Sequence, residues 1–354
     1  MKKIVSILLA SMMLLSLAAC GGSKAETPAA SGSTSASTPA DEDKVYEMKC
    51  STFVNSGSAE MELLEEFTAN VAKATDNHVI IKIYPGEQLG GYEQTFEETM
   101  RGTIEFGINS PAASFDNRLS CTNVPGLFTD FDTAEKLLAP GATLPSTYAE
   151  AMEGLGLKFL AFFPGGFYNL ALNVDPPANY NDAYAKKDAV IRVNTYEVTE
   201  KTVDSLGYRT ATLPGSEFYT ALETGIVDGG IGIDYAFILS GFSDVVSNII
   251  ETHALMSCDS VFMNLELFNS LPEEYQKAIE QCALDFQQAC IDHQRNLEDT
   301  VKPQLEEKGI KIISLTDEEL DAVQNKLRED VWPWVEEQFG QEFMDGVKAD
   351  AGIN

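Results

Sequence analysis

The chain has 354 residues, 44% of them hydrophobic and 9% aromatic, with 24 Lys+Arg against 55 Asp+Glu for a formal net charge of −31. That apolar content is enough for one large or two ordinary domains with real cores, and it excludes disorder throughout. So negative a surface repels phosphate backbones and anionic lipid, which argues against nucleic-acid binding and electrostatic membrane docking.

At the N-terminus, Lys2 and Lys3 precede "IVSILLASMMLLSLAAC", an apolar stretch too short and wrongly flanked for a stable membrane span. It ends in Leu17-Ala18-Ala19-Cys20-Gly21, which resembles a bacterial lipobox. That resemblance implies cleavage of a signal peptide, residues 1–19, and a lipid on the thiol of Cys20. Residues 20–45, rich in Gly, Ser, Thr, Ala and Pro, then read as a flexible tether. The expected location is extracytoplasmic, anchored to the outer face of the cytoplasmic membrane or facing the periplasm. Cys50, Cys121, Cys258, Cys282 and Cys290 are odd in number and include no CxxC, so they read as small buried hydrophobes rather than a disulfide framework.

From Tyr46 strands and helices alternate. "YEMKCSTFV" reads as a strand, and Ser58 as the N-cap of a helix with Met61, Leu64, Phe67 and Val71 along one stripe. "HVIIKIYP" returns as a strand, a helix spans about Gln94–Arg101 with a stop at Gly102, and "TIEFGIN" follows as a strand. "LKFLAFF", "AVIRV" and "YRTATLP" are strand-like, Tyr196–Leu206 is helical with its stop at Gly207, and Ser216 is placed to cap the helix "EFYTALETG". "LPEEYQKAIEQCALDFQQACIDHQRNLEDTVKPQLEEKG" predicts one helix long enough to run across two lobes. Thr316 and Glu319 form a capping box for a last helix carrying Trp332 and Trp334. This spacing predicts parallel sheet with helices on both faces, and such sheets bind ligands at the carboxyl ends of their strands.

Motifs for catalysis are largely missing. His78, His253 and His293 have no short metal-ligand spacing, and His293, on an acidic helix, reads as a surface residue. No Walker-type loop or GxSxG occurs, and "GGIGID" lacks the spacing of a dinucleotide fingerprint. Arg192 is different. In "AVIRVNTYEV" strand alternation puts Val190, Arg192 and Asn194 on one face, a guanidinium inside an apolar run. It either forms an internal ion pair or holds an anion from outside.

Several segments resemble the solute-binding proteins of the tripartite ATP-independent periplasmic (TRAP) transporters. They are "YPGEQLGGYEQTFEETMRGTIEFGI", "PGGFYNLALN", "AVIRV", "SEFYTALETGIVDGG" and "LFNSLPEEYQKAI", in the family's order. The resemblance implies an α/β, two-lobed, periplasmic-binding-protein-like (type II) fold with a long helix shared by both lobes. Lobe I would comprise residues 46–165 plus 258–297, and lobe II residues 166–257 plus 298–354. It further implies that Arg192 clamps a ligand carboxylate and that Asn55 and Ser110 supply polar contacts. Tyr168 replaces the family's "GFR" arginine and Gly232 its asparagine after "VDG", departures that favour a bulkier or singly charged ligand over a small diacid. Phe167, Tyr168, Tyr196, Tyr219 and Tyr235 are aromatic candidates for the pocket wall, each equally readable as core packing. Glu217 and Asp228 belong to the strongest motif but read as structural, a first-turn acid and a turn former.

The expected partners are a small organic acid, integral membrane transporter subunits and the lipid anchor, with no nucleic acid, metal or cofactor and no second copy of the chain. The function implied is capture and delivery of an organic acid rather than catalysis. Alternatives on the same fold are the binding component of an ATP-driven importer, a sensor module, or an extracytoplasmic enzyme.

Overall fold

The computed structural model describes residues 44–110 and 112–353, except for the side chain of Glu298. The signal peptide, Cys20 and all but the last two residues of the tether lie outside the described residues.

Strand β1 (Tyr46–Thr52) leads to α1 (Ala59–Ala74), whose cap is Ser58, its hydroxyl accepting from the Met61 N–H at 3.1 Å. Met61, Leu64, Phe67 and Val71 form the buried stripe that their spacing predicts. Strand β2 (Val79–Tyr84), helix α2 (Tyr92–Met100) and strand β3 (Phe106–Asn109) follow, and β1 lies parallel to both β2 and β3. Two helices not anticipated come next, α3 (Phe131–Leu137) and α4 (Thr143–Gly154). The first is short, and the second contains Pro145 in its opening turn, where proline is tolerated although it reads as a breaker.

The chain then runs through β4 (Leu157–Leu172), β5 (Val190–Val193), α5 (Glu197–Ser205), β6 (Arg209–Thr212), α6 (Gly215–Glu223) and β7 (Gly229–Gly230). Strand β5 is parallel to both β6 and β7. Helix α7 (Tyr235–Gly241), strand β8 (Asn248–Asn264), helices α8 (Leu265–Ser270) and α9 (Glu273–Glu307), strand β9 (Lys311–Ser314), and helices α10 (Asp317–Phe339) and α11 (Gln341–Ala351) complete the described chain.

All nine strands belong to one sheet, ordered β2-β1-β3-β8-β4-β7-β5-β6 with β9 on β8. The expectation of parallel sheet holds for each end but not for the middle. There β4 and β8, of 16 and 17 residues, run antiparallel to each other. At about 3.3 Å per residue each spans roughly 50 Å, far longer than an ordinary strand. One end of the pair joins β3, β1 and β2; the other joins β7, β5, β6 and β9. One strand goes out and the other comes back, so the two must oppose each other. The strand read from the sequence, "LKFLAFF", ends at Phe163, before Pro164-Gly165-Gly166. Instead β4 passes through it with register shifts between Pro164 and Phe167 and again between Tyr168 and Leu170.

Helix α9 crosses between the cores. Ile279, Ala283 and Phe286 pack with α1, β1 and β3, whereas Val301 and Leu305 pack with α6 and α7. The fold is therefore a two-lobed α/β architecture with a helix common to both lobes.

Three local expectations need correction. Ser216 lies inside α6, which begins at Gly215 behind an N-cap Pro214 that offers no side-chain acceptor. The helix with Trp332 and Trp334 is not the last, since Gly340 breaks the chain and α11 follows. His293 is half-buried rather than a surface residue, and its Nε2 has no hydrogen-bond partner among the described residues. All five cysteines of the folded body are free; Cys282 is half-buried and the others are buried.

The capping box is complete: the Thr316 hydroxyl accepts from the Glu319 N–H, and Glu319 accepts from the Thr316 N–H at 2.8 Å. Replacing Thr316 with Ala should lower stability by about 1 kcal/mol. A urea melt of the ligand-free protein would read this as a lower midpoint at unchanged slope.

Candidate ligand-binding site

Arg192 is on β5, between two strands whose ladder holds its backbone on both sides. Its side chain is only 5% exposed. The Nε–H donates to the Leu213 carbonyl at 2.9 Å, and the guanidinium carbon lies 4.9 Å from the centre of the Phe218 ring. These contacts fix the plane of the group and leave its two terminal nitrogens pointing on. A Cβ at Gly215 would stand 3.8 Å from one nitrogen, and a Cβ at Gly232 would stand 3.8 Å from the other. Glycines at both places keep the end of the fork uncovered. Gly232 also has φ +97°, a conformation that L side chains rarely adopt, so the residue serves the backbone and the opening together.

Among the described residues no carboxylate comes within ion-pairing distance of Arg192. Burial pulls the guanidinium below its ordinary pKa, and the phenol of Tyr168 is the one nearby group acting the other way. The group stays charged all the same. Gly215 and Ser216 open α6 beside it, and first-turn N–H groups have no partner within their own helix. A guanidinium and a helix N-terminus thus converge on the same space, an arrangement suited to a carboxylate.

Across that space the polarity reverses. Tyr168, half-buried on β4, is hydrogen-bonded with the Ser257 hydroxyl, and burial together with the charges of Asp259 and Asp234 pushes its phenol up. Asp259, on β8, lies beside the Ser110 hydroxyl, just beyond the end of β3. Burial, with Asp234 adding to it, raises its carboxyl from the ordinary value to about 6. Asp234 caps α7, accepting from the Phe237 N–H at 2.8 Å and from the N–H groups of Ala236 and Gly166. Gly166 suits the close approach, since a Cβ there would lie 3.1 Å from the Asp234 Cβ, tighter than ordinary contact. Burial and the neighbouring Glu60 raise the Asp234 carboxyl as well. Tyr92, at the start of α2, is hydrogen-bonded with Tyr196, the N-cap of α5, so a tyrosine pair bridges the two ends of the sheet.

Of the residues singled out from the sequence, Arg192 has Gly232 and Tyr168 for neighbours, while Tyr168, Ser110 and Tyr196 all interact with Asp259. Asn55 is exposed in the loop after β1, its Oδ1 3.1 Å from where a Gly86 Cβ would stand. Tyr235 is buried in the core between α7 and α9, and its hydroxyl is given to Glu251, which Lys302 neutralises at 2.6 Å. Phe167 stacks on His253 in the core at 4.5 Å, and the Tyr219 hydroxyl points outward to Asp244 at 2.7 Å. Asp228 accepts from the Val190 N–H at 2.7 Å, tying the turn before β7 to β5. Asp259, Asp234 and Tyr92 were missed. A lone acid in the apolar run "SCDSVFMN" is the same signal that singled out Arg192. Among the described residues, no group of three or more His, Cys, Asp or Glu side chains is arranged to hold a metal ion.

A two-lobed α/β body with an unpaired guanidinium at the strand ends defines a small-molecule binding protein. Residues 50–338 match the family described as bacterial extracellular solute-binding protein, family 7 (DctP). The chain belongs to this family, the solute-binding proteins of TRAP transporters. Over 286 residues it is 26% identical to the ectoine-binding periplasmic protein TeaA of Halomonas elongata, covering 76% of this chain and 80% of that one. Over 273 residues it is 25% identical to the 2,3-diketo-L-gulonate-binding periplasmic protein YiaO of Escherichia coli, covering 75% and 80%. Its fold is similar to a crystal structure of a TRAP periplasmic solute-binding protein from Ochrobactrum anthropi, whose C-terminus is bound in its ligand-binding pocket. The TM-score is 0.79 at 23% identity, with 87% of this chain and 95% of that chain covered.

The raised carboxyl of Asp259 has a consequence for stability. Its folded value, about 6, lies above that of an unfolded Asp, about 4, so the folded state binds the extra proton in between. Its contribution is therefore present at lower pH and lost as pH rises from about 4 to about 6. Urea melts of ligand-free wild type and Asp259→Asn should show the variant gaining stability relative to wild type across that range, by a few kcal/mol at about pH 7.

Proposed function

We propose that the protein captures a carboxylate-bearing small molecule outside the cytoplasm and hands it to the membrane subunits of a TRAP transporter. The single observation that supports this most is Arg192, buried, oriented and without an acid of the protein's own. A planar guanidinium offers two parallel N–H donors to a carboxylate, and in a dry cleft the pair is strong only when both partners are present. The ligand carboxylate would complete it, assisted by the N–H groups of Gly215 and Ser216. Ser110 and Tyr168 line the same space, and Asn55 would join from the loop after β1.

Closure is the second half of the reading. The proposed lobes, 46–165 plus 258–297 and 166–257 plus 298–354, meet along β4 and β8. Both register shifts flanking Tyr168 lie there, and opposite them His253 has φ +44°, unusual for a non-glycine residue in a strand. Irregular strands that cross between lobes are suitable hinges, and closing over a ligand would expel water and strengthen the Arg192 pair. The closed surface is then what the transporter distinguishes from the open one. Binding without chemistry is our reading of the role, with Cys20 as the site of a lipid anchor and the protein acting as a monomer.

Replacing Arg192 with Ala should abolish binding of the carboxylate ligand, a loss of about a hundredfold or more. Native mass spectrometry of protein purified without refolding would identify the retained ligand, and calorimetry with it would measure the loss. Unchanged affinity in the variant would reject the clamp.

A further inference from the structure

We propose that the ligand is a zwitterion, its carboxylate on Arg192 and a protonated nitrogen against Asp259, with Asp234 adding to the negative potential. This rests on the carboxylate reading above and narrows it to a substrate class.

The charges of the cleft go unmatched within the protein. Arg192 is more than nine-tenths buried, with no acid at its terminal nitrogens. Asp259, half-buried on β8, has the Ser110 hydroxyl for a neighbour and no Lys, Arg or His as a partner among the described residues. Asp234 has backbone N–H groups and no cation. In this protein acids outnumber bases more than two to one, 55 against 24, yet the buried base and these acids do not meet. Neither carboxylate is among the charges acting on Arg192, whereas Tyr168 interacts with Arg192 and with both acids. The phenol interacts with both the positive and the negative pole, and among the described residues no ion pair joins the two. A nitrogen-free acid would satisfy the first pole and leave the second, half-buried one without a counter-charge. A molecule with opposite charges at its two ends satisfies both.

The residues between the poles fit the same occupant. Tyr168 and Tyr196 lie close to Asp259, and Tyr92 is joined to Tyr196. Phenol oxygens beside a carboxylate add hydrogen-bond acceptors for an organic ammonium or amidinium.

The test compares amino acids with acids of the same shape that lack the nitrogen: β-alanine with butyrate, γ-aminobutyrate with valerate, δ-aminovalerate with caproate, and proline with cyclopentanecarboxylate. Calorimetry and thermal-shift measurements on the wild-type protein should find at least one amino acid bound more tightly than its matched acid. Asp259→Asn should weaken that amino acid by about 30-fold or more and change its matched acid by less than about threefold. Three outcomes overturn the proposal while leaving carboxylate capture intact: matched acids bound as well as every amino acid, no amino acid bound at all, or amino-acid affinity unchanged by Asp259→Asn. Should the variant not fold, the wild-type pairs decide by themselves. If instead Arg192→Ala leaves amino-acid and matched-acid binding both untouched, the carboxylate reading fails and this proposal falls with it.

Discussion

A guanidinium moved out of water without a carboxylate beside it costs several kcal/mol, because the attraction that would offset its desolvation is missing. Arg192 is in that state in the ligand-free protein, and the surrounding structure is organised to keep it there. The β5 ladder holds its backbone, Leu213 and Phe218 hold the plane of its side chain, and glycines at positions 215 and 232 leave its end bare. A group maintained in this way makes the empty cleft unfavourable and the filled one favourable. In the proposed reading, that difference is the free energy available for binding.

The two long central strands convert this local condition into a property of the whole molecule. Because β4 and β8 each traverse both ends of the sheet, Tyr168 and Asp259 stand at the middle of the ladder while Arg192 and Ser110 come from its flanks. The flanking strands contribute residues at or just beyond their carboxyl ends, as open α/β sheets do. The central strands contribute side chains from their interior, where the ladder is interrupted. In the proposed reading, a ligand held by all of them at once would be held by both halves of the protein, which would make binding and closure one event.

The acidic exterior acts in the opposite sense. A surface of formal charge −31 slows the approach of any anion, and more so at low ionic strength. A net-neutral zwitterion meets a smaller barrier than a dianion of the same size. The global charge and the bipolar cleft are therefore consistent with each other, although one arises at the surface and the other in the interior.

Much of this was legible along the chain. The stripe of α1, its Ser58 cap, the Thr316–Glu319 box and the length of α9 follow from periodicity and local capping chemistry, which depend on neighbours a few residues away. Arg192 stood out for the same local reason, as a charge inside an apolar strand. What the sequence could not convey was long-range. The strand "LKFLAFF" ends before Pro164-Gly165-Gly166 unless a second long strand is present to absorb its register shifts. Tyr235 reads as a pocket residue unless Glu251 and Lys302 are known to receive it. The sequence by itself determined the elements, the family resemblance and the buried cation. Only the tertiary structure decided that no acid among the described residues pairs with that cation, because charge pairing depends on distances between strands far apart in the chain.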